Sequence, residues 1–421
     1  MPPASTGVPP APLRHVVVVG ASLAGLRSAE ALRQAGFDGG LTIVGAEAHA
    51  PYNRPPLTKA ALVEGPEVST LALPQADDLD ATWTLGVSAT SLDVAAREVR
   101  LDIGASVRFD GLVIASGAHA RRLPGDVAAP AVTARIHYIR TVDDATSLHR
   151  ALAEPDRQVL VIGAGFLGCE VASTAASLGH RVTLVEATAG PMLGALGPEL
   201  SAYSAELHRS RGVDLRTTTT VESLTPSERA GHSVAVLSDH TGGTRSSIEA
   251  DVVVAALGAT PNTGWLQGSG LDLEAGVATD DSLTALDTLG NPVNGIVAVG
   301  DVARTPQPLL GGTASRVEHW ATAVGHSRIA GATLLGLKPA GRAALPSFWT
   351  DQHGVQIRGV GLPGAADTTT LVDGTPEDHR FVVTRTRRGR LVGAIAVNNT
   401  PALFRYRKEL ESASTSVQPT R

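Results

Sequence analysis

The chain has 421 residues, of which 43% are hydrophobic and 18% charged, as in a globular protein of two or three domains. Its formal net charge of −6 argues against a general affinity for nucleic acid or for an anionic membrane. A single cysteine excludes an internal disulfide and favours a reducing compartment, so we expect a cytoplasmic protein. No uncharged apolar stretch of about 18 residues occurs, which predicts that no helix spans a membrane.

A βαβ unit is predicted at residues 15–47, HVVVVGASLAGLRSAEALRQAGFDGGLTIVGAE. Its glycine-rich turn resembles the dinucleotide fingerprint, with Ser22 in place of the middle glycine; serine is small enough to let a phosphate approach. Glu47 follows Gly25 by 22 residues, a suitable distance for a contact with a ribose. The predicted turn residues are Gly20, Ser22, Ala24 and Gly25.

A second βαβ unit is predicted at residues 158–187, QVLVIGAGFLGCEVASTAASLGHRVTLVEA. Gly163 makes the tight turn, Gly165 allows a pyrophosphate to approach, and Gly168 lets the helix pack on the strand. Glu186 ends the second strand, where its carboxylate can accept both ribose hydroxyls and repel a 2′-phosphate. No Arg or Lys follows within 187–189, which favours NADH over NADPH. Two complete units predict at least one bound dinucleotide, and two such sites in one chain suggest a flavin together with a nicotinamide.

Eight further segments carry a family resemblance when taken together. From about residue 14 to 410, the chain resembles the FAD-dependent, NADH-dependent ferredoxin reductases that serve bacterial cytochrome P450 and aromatic-ring dioxygenase systems. The segments are PYNRPPLTK (51–59), LGVSATSLD (85–93), LVIASGAHARRLPG (112–125), YIRTVDDA (138–145), ALGATPNTGWLQGSGL (256–271), GIVAVGDVAR (295–304), RVEHWATAVGHSRIAGATLLG (316–336) and SFWTDQHGVQIRGVG (347–361).

The resemblance implies an α/β fold with two Rossmann-like dinucleotide-binding domains, on the plan of glutathione reductase, and a small α+β C-terminal domain. The expected boundaries are 12–120 with 253–336 for the FAD domain, 121–252 for the NADH domain and 337–412 for the C-terminal domain, with flexible tails at 1–11 and 413–421. In such reductases the C-terminal domain covers the flavin and helps dock the acceptor. A monomer or a homodimer is expected.

The resemblance also assigns roles to residues of both domains. Lys59 and Arg54 are expected near the flavin, with a solvated surface pair as the alternative, and Glu170 near the nicotinamide. Asp301 is expected to bind a ribityl hydroxyl rather than to act as a simple N-cap. Trp320 precedes a helix aimed at the flavin, although a core position is the alternative. The candidate cofactor contacts are Gly20, Ser22, Ala24, Gly25, Glu47, Arg54, Lys59, Ala89, Ser116, Gly117, Arg140, Asp301, Glu318, His319 and Trp320 for FAD, and Gly163, Gly165, Gly168, Glu170, Glu186 and Gly258 for NADH.

The sequence departs from the family pattern at four positions. Gly194 stands where an arginine near the nicotinamide is usual, so the resemblance leaves the NADH affinity and the coenzyme preference open. His326 stands where glutamine is frequent, Thr350 replaces a serine, and His353 replaces an aromatic residue.

Cys169 is the only cysteine, and it lies in the helix of the second βαβ unit. Disulfide-reducing relatives place a cysteine pair, or one cysteine, beside the flavin, whereas residues 20–65 contain none. We therefore expect Cys169 to pack as a small hydrophobic side chain. Without a cysteine cluster the chain holds no iron–sulfur centre, and no metal site is predicted. The electrons of the flavin are therefore expected to pass to an external acceptor.

The main hypothesis is an electron-transfer flavoenzyme. NADH gives a hydride to FAD, and the flavin passes single electrons to a small ferredoxin that serves a P450 or a ring-hydroxylating dioxygenase. No protein nucleophile or general base is required. Two alternatives stay open: a thiol-dependent NADH oxidase or disulfide reductase, and a redox flavoprotein of the apoptosis-inducing type.

An acidic chain needs a local basic face to dock an acidic ferredoxin. Two clusters near the C-terminus qualify. One, in RTRRGR, is predicted to lie at a hairpin turn, with a solvated turn as the alternative, and the other, in RYRK, in a terminal helix. Their basic residues are Arg385, Arg387, Arg388 and Arg390 in the first, and Arg405, Arg407 and Lys408 in the second.

Overall fold

The computed structural model describes residues 13–125, 127–133, 135–339 and 345–416. The predicted tail at 1–11 and the last five residues of the tail predicted at 413–421 lie outside the described residues. The C-terminal helix continues to Ser416, so residues 413–416 are helical. In the part of the chain that the structure describes, no helix is long and apolar enough to cross a membrane.

The first sheet has six strands, in the order β19-β20-β7-β1-β2-β3. Its central strand is the Val run of the first βαβ unit, whose residues 16–19 are buried, as in a parallel sheet covered on both faces. Only β19 runs antiparallel to its neighbour. The strands are β1 (His15–Val19), β2 (Gly40–Gly45), β3 (Thr82–Leu85), β7 (Gly111–Ile114), β19 (Thr284–Leu286) and β20 (Pro292–Ala298).

The second sheet has five parallel strands, in the order β12-β11-β10-β16-β9. Its strands are β9 (Ile136–Tyr138), β10 (Gln158–Ile162), β11 (Arg181–Val185), β12 (Asp214–Arg216) and β16 (Val252–Ala255). Because β16 pairs with both β10 and β9, the chain leaves this domain after Ala255, three residues later than the end expected at 252. The two Rossmann-like domains of the predicted fold are confirmed.

Among the described residues, four small sheets accompany these two. One of them pairs β8 with β17, so both crossings between the dinucleotide domains lie side by side. The strands are β4 (Ala89–Asp93), β5 (Glu98–Leu101) and β6 (Ser106–Arg108); β13 (Thr219–Pro226), β14 (Ser233–Asp239) and β15 (Arg245–Ala250); β8 (Ala118–Ala120) and β17 (Ala259–Pro261); and β18 (Val277–Ala278), β21 (Ala303–Pro306) and β22 (Ala314–Arg316).

The described helices pack mainly on one face of each large sheet, and small sheets cover most of the other face. Ser327 donates a hydrogen bond to the Ala24 carbonyl oxygen, so the long helix that contains it lies directly on the helix of the first βαβ unit. The helices are α1 (Leu23–Gln34), α2 (Ala60–Glu64), α3 (Val68–Leu71), α4 (Pro130–Thr133), α5 (Val142–Ala151), α6 (Phe166–Ser177), α7 (Leu193–Leu196), α8 (Pro198–Ser210), α9 (Trp320–Leu334) and α10 (Leu403–Ser416).

The C-terminal domain is a five-stranded antiparallel sheet in the order β23-β24-β27-β26-β25, with α10 against one face. Its other face shares a hydrophobic core with the second dinucleotide domain, where Phe348 and Ile395 pack among residues of that domain. The α+β prediction for this domain is thereby confirmed. The strands are β23 (Ser347–Gln352), β24 (Val355–Gly361), β25 (Thr368–Thr375), β26 (Arg380–Arg387) and β27 (Arg390–Val397).

One predicted docking residue is part of this interdomain contact. The RTRRGR segment forms the predicted hairpin between β26 and β27. Arg385 is only 3% exposed, however, and donates to the Pro363 carbonyl oxygen at 3.1 Å and to Glu199 at 3.4 Å. Its guanidinium lies against Gly197, where a Cβ atom would overlap it. Placing Arg385 in an exposed basic cluster was wrong, because its alternating position on β26 points inward.

Candidate functional site

The first glycine-rich turn joins β1 to α1 through contacts that exclude a side chain. A Cβ atom at Gly20 would overlap the carbonyl oxygen of Ala115, and one at Gly25 would overlap that of Gly20. Ser22 is the N-cap of α1, and no side chain bonds the first N–H groups of the helix. Free N–H groups at a helix N-terminus favour an anion such as a phosphate.

The second turn joins β10 to α6 in the same manner. A Cβ atom at Gly163 or Gly168 would overlap a neighbouring carbonyl oxygen, whereas one at Gly165 would meet no atom within 4 Å. Gly165 is also the N-cap of α6, which lacks a capping side chain. Two of the glycines are therefore required for packing, and the third faces open space.

Two adjoining clefts of about 270 and 480 Å³ open at this turn, and Gly165 and Glu186 line both. Gly194 lines the smaller cleft, where the family pattern has an arginine, and Gly258 lines the larger. The Glu186 carboxylate accepts the Ala164 N–H at 2.7 Å and the N–H and hydroxyl of Thr188, each at 2.8 Å. Glu186 thus ties the turn to the end of β11 while its carboxylate borders the clefts.

Glu47 is the centre of a hydrogen-bonded group after β2. It accepts from the Arg54 guanidinium and from the Tyr52 hydroxyl. Burial raises the pKa of Tyr52 well above its ordinary value, so this phenol keeps its proton for donation. Arg54 also donates to the Arg140 carbonyl oxygen at 2.6 Å and to the Ser22 hydroxyl at 3.4 Å. These partners contradict the alternative in which Arg54 is solvated.

Asp301 connects the second flavin motif to the same group. Its carboxylate forms an ion pair with Arg140 at 2.5 Å, and Arg140 also donates to the Ala118 carbonyl oxygen at 2.9 Å. Asp301 lies within a short 3₁₀ turn, Gly300–Val302, whose N-cap is Val299. The alternative of a simple N-cap is therefore wrong. The carboxylate lies beside the crossing strand β8.

Ser116 and Gly117 hold the crossing between the two domains. The Ser116 hydroxyl donates to the Asn262 carbonyl oxygen at 2.9 Å, and the Asn262 amide donates to the Ser116 carbonyl oxygen at 2.7 Å. Gly117 accepts the Asn262 N–H at 3.0 Å and has a φ of +66°, which favours glycine. Ala89 lies farther off, at the start of β4, in a segment joined to the end of β2 by a bond from Val87 N–H to the Gly45 carbonyl oxygen.

The N-terminus of α9 carries the three residues of the EHW segment. His319 is its N-cap and forms no capping bond, and its buried Nδ1 has no partner. Burial lowers the pKa of His319 to about 4, which leaves the ring neutral at pH 7. Burial raises the pKa of Glu318, which pairs with Arg316 at 2.7 Å. Trp320 is 39% exposed, so a core position for it is excluded.

Lys59 and Glu170 form an ion pair with a separation of 2.7 Å between Nζ and Oε2. The Pro55–Thr58 3₁₀ turn places Lys59, and the first turns of α6 place Glu170, which is buried. The Glu170 carboxylate also accepts from the hydroxyls of Thr58 and, at 2.7 Å, Thr350. The pair therefore joins the segment after the first βαβ unit to the helix of the second, and a solvated Lys59 is excluded.

Cys169 is fully buried among the apolar side chains of α6, and its Sγ lies 3.4 Å from the Ala164 carbonyl oxygen. Burial, together with the carboxylates of Glu186 and Glu170, raises the pKa of this thiol well above its ordinary value. A protonated, inaccessible thiol is a poor nucleophile. The prediction that Cys169 packs as a hydrophobic residue is confirmed.

Replacing Cys169 with Ala is expected to leave NADH oxidation coupled to ferredoxin within about threefold of wild type, because removal of one small group is a modest change. The native thiol should also resist a disulfide reagent such as dithiobis(nitrobenzoic acid) until the protein unfolds. A variant that binds FAD but fails to reoxidise it would contradict this prediction.

The described residues fit two bound dinucleotides. The N-termini of α1 and α6 are uncapped by side chains and follow turns closed by glycine. At the uncapped start of α9, two buried polar atoms, His319 Nδ1 and Thr322 Oγ1, have no hydrogen-bond partner within the protein. Buried polar atoms are usually hydrogen-bonded, so both could bond a polar group of a cofactor. These features suit FAD on the first turn and a nicotinamide dinucleotide on the second.

Sequence reasoning gave no role to several polar residues that support these groups. Tyr52 and Thr58 lie inside the quoted segment 51–59, and Asn262 lies inside 256–271, so their positions were visible although their partners were not. Gln352 likewise lies inside 347–361, whereas no sequence signal indicated its partner His208, which bonds it across the domain boundary.

Two family models match the chain, and curated relatives extend the match over most of its length. Residues 14–327 match the pyridine nucleotide-disulphide oxidoreductase model, and residues 347–421 match the reductase C-terminal model. The ferredoxin–NAD(+) reductase component of the anthranilate 1,2-dioxygenase system of Burkholderia cepacia is 36% identical over 386 residues, covering 91% of this chain and 90% of that protein. Rhodocoxin reductase of Rhodococcus erythropolis is 35% identical over 386 residues, covering 91% and 86%.

A solved structure agrees with these matches. The reductase in the covalent putidaredoxin reductase–putidaredoxin complex superimposes with a TM-score of 0.85 at 30% identity, covering 95% of this chain and 93% of that one. The resemblance drawn from the sequence motifs is confirmed. The chain belongs to the pyridine nucleotide-disulphide oxidoreductase family, among the members that carry the reductase C-terminal domain.

Proposed function

We propose that this chain is a cytoplasmic NADH-dependent ferredoxin reductase, which passes electrons from NADH through FAD to a small iron–sulfur protein. That protein in turn serves a cytochrome P450 or a ring-hydroxylating dioxygenase. Support comes from relatives that are named as ferredoxin–NAD(+) reductase components or as redoxin reductases, and from the structure of one of them in complex with its redoxin. Two dinucleotide turns in one chain supply the sites that such a reaction needs.

The observation that carries the proposal is the location of the only thiol in the chain. A disulfide reductase of this family needs a reactive thiol beside the flavin, but Cys169 is buried in α6 with a raised pKa. Electrons that reach the flavin must therefore leave it for an external acceptor. This separates the chain from thiol-dependent oxidases and disulfide reductases.

The residues of this chain would hold the cofactors and control charge around them. FAD, when bound, supplies the exchange between a two-electron donor and a one-electron acceptor. The Lys59 ammonium, held by Glu170, and the free N–H groups at the start of α9 both favour negative charge nearby. Glu47 and Asp301 would accept the ribose and ribityl hydroxyls of FAD, and Glu186 would accept those of the ribose of NADH.

Stopped-flow mixing of the FAD-loaded protein with NADH tests the proposed function. Flavin bleaching should be fast, and adding an oxidised ferredoxin should restore the flavin colour at a rate that depends on ferredoxin concentration. A panel of ferredoxins with cytochrome c as the final acceptor would identify the partner. A reduced flavin that persists as a charge-transfer complex and transfers no electrons would instead favour the signalling flavoprotein.

The RYRK cluster on α10 is the basic face that we propose for ferredoxin docking. Arg405 and Lys408 are exposed, Arg407 is half-buried, and the neighbouring Phe404 is 67% exposed. Neutralising Arg405, Arg407 and Lys408 together should raise the apparent KM for ferredoxin and leave the rate of flavin reduction by NADH unchanged. Because salt screens such steering, wild-type ferredoxin reduction should slow as ionic strength rises, while ferricyanide reduction should change much less.

A second triple variant provides the matched control. Arg387, Arg388 and Arg390 are exposed at the hairpin between β26 and β27, and neutralising them removes the same charge from the same domain. If the α10 variant keeps the wild-type KM and salt dependence, the docking face lies elsewhere. If only the hairpin variant raises the KM, the hairpin is the docking face.

A further inference from the structure

A continuous series of hydrogen bonds runs from a half-buried histidine of the C-terminal domain to the Lys59–Glu170 ion pair at α6. His353 Nε2 lies 3.0 Å from His208 Nδ1, and His208 Nε2 lies 3.2 Å from the amide oxygen of Gln352. The amide nitrogen of Gln352 donates to the Thr350 hydroxyl at 3.1 Å, and that hydroxyl donates to Glu170 Oε1 at 2.7 Å. We name this series the His353–Glu170 chain.

The chemistry of its members fixes the direction of every bond. An ionised carboxylate only accepts, so Thr350 uses its single proton on Glu170 and must accept from Gln352. The amide oxygen of Gln352 then faces His208 Nε2, which must carry a proton, and His208 Nδ1 accepts from His353. Every donor therefore points toward Glu170.

The inner members of the His353–Glu170 chain are shielded from water. Thr350, Gln352 and His208 are fully buried. Burial lowers the pKa of both His208 and His353 to about 4, with Arg211 also acting on His353, so both rings are neutral at pH 7 as the bond directions require. In such surroundings, a polar group that loses its partner cannot replace it with water.

The His353–Glu170 chain also connects three elements of secondary structure. Glu170 lies on α6 and His208 on α8 of the second dinucleotide domain, whereas Thr350 and Gln352 lie on β23 of the C-terminal domain. The His353 N–H donates to the Ser173 hydroxyl at 2.7 Å, one turn along α6 from Glu170. The C-terminal domain is thus bonded to the same helix that carries the Lys59–Glu170 pair.

We propose that Thr350, Gln352 and His208 are positioning residues, which hold the Glu170 carboxylate and through it the Lys59 ammonium. This inference rests on the proposed function, since it assigns the pair to the transfer of electrons from NADH to the flavin. The Thr350 hydroxyl is one of three groups on the carboxylate, with Lys59 and Thr58. Removing it, or the bonds that orient it, frees Glu170 to shift and displaces the Lys59 charge.

Reduction of ferricyanide by NADH provides the kinetic test. Thr350→Val and His208→Met should each lower kcat about fivefold and change the KM for NADH less than about twofold, because coupling within one bonded network is modest in size. Thr350→Ser, which keeps the hydroxyl, and His208→Gln, whose amide can reach Gln352, should restore most of the rate.

A buried histidine that is not a member of the His353–Glu170 chain is the matched control. His180 lies in the same domain and bonds the Leu152 carbonyl oxygen at 3.2 Å, without contact to Glu170. His180→Met should therefore keep the wild-type kcat even if it lowers the melting temperature. Equal rates for His180→Met, His208→Met and Thr350→Val would overturn the positioning role.

Nitrogen NMR of the histidine rings gives a readout that does not depend on turnover. In the protein with and without FAD, His208 should carry its proton on Nε2, and Thr350→Val should alter that tautomer signal while leaving His180 unchanged. An unaltered His208 signal in Thr350→Val would overturn the inference. Failure of wild type itself to reduce ferricyanide with NADH would instead overturn the proposed function, so the two failures are distinguishable.

Discussion

Wild-type protein is expected to use NADH at least about tenfold better than NADPH in kcat/KM, because a hydrogen bond to a charged group is worth roughly 1.5–3 kcal/mol. Glu186 borders both clefts at the second turn, and its carboxylate would accept a ribose hydroxyl but repel a 2′-phosphate. No basic residue stands at 187–189 to reverse this preference. Glu186→Ala should narrow the gap between the two coenzymes.

A second substitution separates the charge of Glu186 from its structural bonds. Its carboxylate accepts from the Ala164 N–H and from Thr188, so alanine removes turn contacts as well as charge. Glu186→Gln keeps an acceptor for those groups. We expect Glu186→Gln to lose discrimination against NADPH and to melt at a higher temperature than Glu186→Ala. Equal use of both coenzymes by wild type would contradict the assignment of Glu186.

The dinucleotide domains could be predicted because their signals are local. Each βαβ unit has its strand, turn, helix and acid within about 33 residues, and the glycine positions follow from steric contacts inside the turn. The predicted return to the first domain is three residues early, because β16 belongs to a sheet whose partners β9 and β10 are distant in sequence. Membership of a sheet is a property of pairing, which composition does not report.

The parts that could not be predicted depend on contacts between distant segments. Arg385 looked like part of a surface cluster, yet it is buried against Gly197 and Glu199, nearly 190 residues earlier. Likewise, Thr350 was noted only as a substitution for serine, although its hydroxyl bonds Glu170 across 180 residues. An arginine or a threonine offers no sequence pattern that distinguishes such a buried role from an exposed one.

Gly165→Ala is expected to fold like wild type and yet to lose most of its use of NADH. An alanine there meets no atom within 4 Å in the free protein, and Gly165 has a φ of −73°, which alanine adopts without strain. The melting temperature should therefore stay within about 2 °C of wild type, as for other substitutions that touch nothing. If a pyrophosphate lies against this glycine, the added methyl group occupies its place, and kcat/KM for NADH should fall at least about tenfold.

Gly168→Ala is the matched control, since it makes the same chemical change three residues along the turn. Its Cβ atom would overlap the Gly163 carbonyl oxygen, so the helix must move off the strand. Overpacking of this kind costs about 1–3 kcal/mol of folding free energy or more, and the melting temperature should fall by several degrees.

FAD content should stay at the wild-type level in Gly165→Ala, because the first turn is untouched. Isothermal titration with NAD⁺ would measure the binding loss directly. If Gly165→Ala binds NAD⁺ as tightly as wild type, the nucleotide lies away from this turn, and the assignment of the second βαβ unit to NADH is wrong.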